Sequence, residues 1–123
     1  MNTSLITNIK NSFVTKFESE PIMIFSPGRI NIIGEHTDYN DGFVFPAAVD
    51  KGIVAGIQKS NSNTSSAYAA DKDETIEFSL TNLTPLAKGF WQTSILGVGA
   101  EIQNTRKKIG NVNIGFGGDI PGL

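Results

Sequence analysis

Cysteine is absent from this chain, and histidine occurs once, at position 36. The first absence removes a disulfide framework, a thiolate nucleophile and a cysteine-ligated zinc site together. With a single imidazole, a metal site would have to be a carboxylate site for a hard cation. Charge of one sign is scarce too. Ten Lys and Arg face twelve Asp and Glu, the formal net charge is -2, and no run of basic residues stands out. Such a balance offers no electrostatic footprint for nucleic acid or an anionic membrane. No stretch is apolar enough to span a bilayer, and Met1 to Leu5 lack the basic region and apolar core of a leader. The expectation is a cytoplasmic protein with neither nucleic acid nor membrane among its partners. What is there suits a folded domain, since 39% of residues are hydrophobic and 18% charged. A length of 123 residues fits one domain and is short for an enzyme that holds two substrates.

Leu5, Ile9, Phe13 and Phe17 recur at helical spacing, with Asn2 or Thr3 as cap and Pro21 as stop, so residues 4–19 read as an amphipathic helix. Ile22 to Phe25 and the run from Ile30 read as two strands around a tight turn at Ser26-Pro27-Gly28-Arg29. Residues 34–42, GEHTDYNDG, are polar between apolar flanks and form a loop bounded by Gly at each end. Gly52 to Lys59 alternates as a strand, Asn61 to Ser66 is a surface turn, and Tyr68 to Leu80 forms one or two strands around Asp71-Lys72-Asp73. Trp91, Ile95, Val98 and Ile102 predict a second helix over about residues 89–106. Val112, Ile114 and Phe116 alternate as a last strand leading into GGDIPGL. The order helix, strands, helix, strand predicts an α+β fold, a mixed sheet with helices, rather than regular βαβ winding. No internal repeat or interdomain linker divides it.

Chemistry concentrates in PGRINIIGEHTDYNDG, Pro27 to Gly42, which gathers Arg29, Glu35, His36 and Asp38 into one short stretch. Carboxylates accept hydrogen bonds from pairs of hydroxyls, and a neutral imidazole donates or accepts, so the cluster suits a polyol. Arg29 supplies fixed positive charge for a transferring phosphoryl group or a catalytic carboxylate. By residue type alone, a solvated turn with Asp38 bonded to its own backbone, or a hard-cation site, fits the same residues.

The longer stretch GRINIIGEHTDYNDGFVFPAAVD resembles the galactokinase signature of the GHMP kinase superfamily. The resemblance implies transfer of the γ-phosphoryl of ATP, with Mg2+, to the 1-hydroxyl of galactose. It also implies that Arg29 lies beside the reacting hydroxyl as transition-state stabiliser, and that Glu35, His36 and Asp38 hydrogen-bond the sugar. Tyr39 and Asn31 would brace the loop, and Phe43 to Asp50 would form a buried strand and a turn. Phe90-Trp91 through Gly97-Val98 is similar to a family helix whose Trp lies near the adenine pocket, although the usual Asn-Tyr pair reads Thr93-Ser94. Trp91 is therefore either a nucleotide contact or core. GGDIPGL resembles the start of the phosphate-binding motif, with its Pro-to-Gly spacing shortened, which makes Gly122 and Leu123 nucleotide contacts.

On this reading residues 1–123 are the amino-terminal part of a galactokinase, cut at the phosphate-binding loop. The catalytic Asp, the loop's Ser residues, the acidic magnesium ligand and the carboxy-terminal domain would lie beyond Leu123, so the chain alone is not expected to catalyse. The same resemblance extends to kinases of N-acetylgalactosamine or arabinose, and to relatives that sense galactose and ATP without turnover.

Overall fold

The four-residue spacing of Leu5, Ile9, Phe13 and Phe17 becomes helix α1, Thr3–Phe17, in the computed structural model. Residues 2–34, 38–81, 83, 91–105 and 109–121 are described, Asp38 by its backbone only. Asn2 caps the helix, its Oδ1 accepting the Leu5 N–H at 3.1 Å. The end comes at Glu18 rather than at residue 19: this residue is left-handed (φ 53°), and its N–H turns back to the Val14 carbonyl. Ile9 and Phe13 are the positions the helix buries.

Five strands follow: β1 (Ile22–Ile33), β2 (Phe45–Lys59), β3 (Ser65–Ala69), β4 (Glu74–Phe78) and β5 (Val112–Gly118). Helix α2, Trp91–Asn104, lies between β4 and β5 in sequence. The sheet order is β1-β2-β5-β3-β4, antiparallel except for the parallel β3–β5 pair, so the fold is mixed α+β. A parallel neighbour needs a long crossover, and the stretch carrying α2 supplies it. Ser65 stitches the start of that parallel seam. Fully buried, its Oγ donates to Asn111 Oδ1 and accepts the Val112 N–H, both at 3.0 Å.

The two strands expected around Ser26–Arg29 are one strand. β1 runs straight through Pro27-Gly28, and its pairing with β2 slips between Pro27, opposite Gly52, and Arg29, opposite Ala48. Proline cannot donate to a ladder and is tolerated at a sheet edge or a bulge, and β1 provides both. The strand expected over Gly52 to Lys59 begins earlier, at Phe45. Along β2, β5 reaches only Ile53–Lys59 among the described residues, so the first half of β2 has β1 as its partner and the two extend past the sheet as a ribbon. Hence residues 43–46 are exposed rather than a buried strand, with Phe45 at 60%.

α1 covers one face. Phe13, fully buried, lies over β2 and β5 where Gly56 and Gly115 leave it room; a Cβ on Gly115 would come within 3.0 Å of its ring. Strand alternation puts Phe116 on the opposite face, where Trp91 meets it edge-on with ring centroids 5.4 Å apart. α2 buries Leu96 and Gly99, the latter against Leu80, while Val98 and Ile102 of the expected stripe stay exposed.

Candidate functional site

The β1–β2 ribbon carries the candidate site. Arg29 leaves the strand directly after the register slip and is exposed. A bulge of this kind bends a strand and re-aims its side chains. Gly34 ends the strand with φ +98°, and a Cβ there would collide with the backbone of Phe43 and Val44. Glycine at this point lets the outgoing and returning chains close on each other, making the neck of the polar loop. Within the loop Asp38–Asn40 form a short 3-10 turn and Asp41 is left-handed (φ 58°). Glu35 and His36 lie outside the described residues, as does the side chain of Asp38. The ribbon thus brings Arg29 and the loop to the same end of the sheet. Tyr39 and Asn31 are both exposed.

Trp91 belongs to a different place. It begins α2, half-buried on the far face of the sheet, and its indole N–H donates to Glu74 Oε2 at 2.9 Å. The ring thus has a packing partner in Phe116 and a hydrogen-bond partner in β4, as a structural tryptophan requires. Gly122 and Leu123 lie outside the described residues.

The segment just before them is well anchored. Gly118 N–H donates to Asp71 Oδ2 at 2.9 Å, Gly52 N–H donates to Asp119 Oδ1 at 2.8 Å, and Asp119 N–H donates to the Gly52 carbonyl at 3.1 Å. The Gly52 N–H holds the Asp119 carboxyl below the usual carboxylate range, with the Asn2 side-chain amide and the charge of Lys51 acting in the same sense. These amides are spent on the protein itself, so a phosphate cradle built from backbone N–H groups could begin only beyond Asp119. Asp71, Asp119 and Gly52 escape sequence reasoning because their partners are 47 and 67 residues away, and no local pattern signals such a bond. No group of three or more His, Cys, Asp or Glu that could hold a metal ion occurs among the described residues.

The galactokinase galactose-binding signature matches residues 11–59, from α1 through the ribbon to the end of β2. The galactokinase of Haemophilus influenzae (strain PittGG) is 39% identical over 118 residues, covering 94% of this chain and 31% of that protein. The chain thus carries the galactose-binding signature of the galactokinases and is similar over nearly all its length to about a third of such a protein. The crystal structure of Lactococcus lactis galactokinase complexed with galactose superposes with a TM-score of 0.83 at 30% identity, over 94% of this chain and 31% of that one. Methanococcus jannaschii mevalonate kinase shares the fold, with a TM-score of 0.67 at 13% identity over 85% of this chain and 34% of its own. The fold is therefore that of the GHMP kinases. The chain spans about a third, 31%, of the length of the curated galactokinases it matches.

Proposed function

We propose that residues 1–123 form the amino-terminal, sugar-binding part of a galactokinase that transfers the γ-phosphoryl of ATP to the 1-hydroxyl of galactose in the cytoplasm. The observation that supports this reading is the galactose-binding signature itself, which coincides with the one ribbon that presents Arg29 and a glycine-necked polar loop together. On this reading Glu35, His36 and Asp38 accept or donate to sugar hydroxyls, and Arg29 draws charge toward itself at the reacting centre. Gly122 and Leu123 would open the phosphate-binding turn. ATP is the second substrate, with Mg2+ neutralising its phosphates, and no step is assigned to a magnesium ligand within this chain. Trp91 would reach a nucleotide only as a wall of packed core, given its bonds to Glu74 and Phe116.

The test is steady-state kinetics on a galactokinase-length polypeptide carrying this chain, with each substrate varied in turn. Asp38→Ala should raise the galactose KM far more than the ATP KM, by an amount equivalent to about 2 kcal/mol for a charged hydrogen bond. Equal effects on both substrates with a lowered melting temperature would instead make residues 34–42 a structural turn. Galactose-independent ATP turnover would sink the assignment of the sugar.

A further inference from the structure

Three elements meet where β5 ends. Asp119 bonds Gly52 of β2 in both directions, through its carboxylate and through its own N–H. The side-chain amide of Asn2, the residue whose Oδ1 caps α1, helps to hold this carboxyl in its charged form. Next to this lock stands Gly28, one residue before Arg29. A Cβ on Gly28 would lie 3.1 Å from the Lys51 carbonyl, 3.2 Å from Val49 Cγ2 and 3.3 Å from Ile120 Cδ1. At Gly52 a Cβ would run into the Ser26 carbonyl and the Phe25 ring. The segment after β5 is therefore pressed against the bulge from which Arg29 emerges, at a point where neither strand has room for a side chain. On the other side Asp71 holds Gly118.

We propose that Asp119 is a positioning residue: it fastens the glycine-rich segment leading to residues 120–123 onto the Arg29 bulge, and so sets the spacing between the sugar-binding ribbon and the nucleotide-binding turn. The functional half of this statement rests on the galactokinase reading above. A carboxylate is suited to the task because its charged oxygen makes a strong acceptor for the Gly52 N–H. An alanine has none, and an asparagine keeps one carbonyl oxygen of the same shape. Among the charged groups of the described residues, Lys51 on β2 favours its ionised form.

The lock is tested in the 123-residue chain by amide hydrogen exchange followed by NMR. Asp119→Ala should lower the protection of the Gly52 amide by roughly tenfold or more, with amides at the β3–β4 seam changing less, and Asp119→Asn should restore much of it. Unchanged Gly52 exchange in Asp119→Ala would overturn the lock. The coupling is tested in the galactokinase-length polypeptide, where Asp119→Ala should raise the ATP KM and lower kcat while the galactose KM moves little, again with partial rescue by Asn. Parallel losses for both substrates that track a fall in melting temperature would overturn the positioning role. A wild-type polypeptide that phosphorylates no sugar would overturn the galactokinase reading, and with it the functional half of this proposal, whereas the exchange measurement decides the lock independently of any activity.

Discussion

Arg29 follows a register slip on an edge strand, with Pro27 and Gly28 behind it and Ala48 across from it. The backbone around it is fixed while the side chain stays exposed, which suits a group that must meet charge arriving from outside the ribbon. A guanidinium grips two oxygens in one plane, whereas an ammonium keeps the charge and loses that fork. If the proposed role holds, Arg29→Lys in the galactokinase-length polypeptide lowers the turnover number strongly and changes the galactose KM only modestly. Unchanged turnover, or a loss matched by unfolding, would remove Arg29 from the reacting centre. Asp119 makes a different residue-scale prediction. Its carboxyl titrates lower in the folded chain than in the unfolded one, because the charged form accepts the Gly52 N–H. The stabilisation is then present in full above the ordinary carboxylate pKa of about 4 and is lost as the pH falls through the lower folded value. Urea midpoints of the wild type should therefore decline across that acid window, and those of Asp119→Asn should decline less.

At the scale of elements, helix α1 is legible in the sequence because its signals are local: a capping Asn2, a four-residue apolar repeat and Pro21 beyond the end. The turn of the β3–β4 hairpin at residues 70–73 is legible for the same reason, but β3 begins at Ser65, inside the stretch that reads as a surface turn. Pro27-Gly28 misleads, because a turn and an edge-strand bulge use the same residue types and only the partner strand decides between them. The exposure of Phe43 to Pro46 is equally hidden from local pattern, since it depends on how far β5 reaches along β2, which is a tertiary matter. The polar loop is recognisable as a motif, yet the lock at Gly52, opposite Pro27 at the start of the ribbon, joins residues far apart in sequence. Where the helix meets the sheet the structure makes a quantitative claim. Phe13 is fully buried over two glycine-bearing strands that cannot collapse into the space it would leave. Phe13→Ala should cost about 3–5 kcal/mol, a large share of the roughly 5–15 kcal/mol available to a domain of this size. Urea titration of the two proteins measures it, and a loss below about 1 kcal/mol would mean that α1 is not docked as described.

At the scale of the whole molecule, the distribution of apolar surface is lopsided. α1 and the sheet enclose a core of Ile9, Phe13 and Val54; Ala67 and Ala69 are buried on the opposite face that carries Phe116, and Ile22, Ile24, Ile30, Ile32 and Ile33 along β1 are all exposed. Scattered exposed apolar side chains are ordinary, but five exposed isoleucines on one 12-residue edge strand are a concentration of apolar surface. β1 is also an edge strand, and Arg29 is the only charged residue among its 12. The slip at Pro27 interrupts the edge and gives it some protection from pairing with another chain. The proposal that this chain is one part of a galactokinase-length protein accounts for such a surface, because a further part of that protein would cover it. The 123-residue chain by itself should then bind an apolar dye such as ANS in its native state and associate as its concentration rises. Ile22→Lys and Ile24→Lys together should reduce both effects while leaving the urea midpoint nearly unchanged, because exposed side chains contribute little to the folded core. Dye fluorescence, sedimentation velocity and a denaturation curve on the two proteins separate the cases. A dye-silent monomeric wild type would show that the row along β1 is not the open surface described, and a large fall in the midpoint of the double variant would place Ile22 and Ile24 in the core instead.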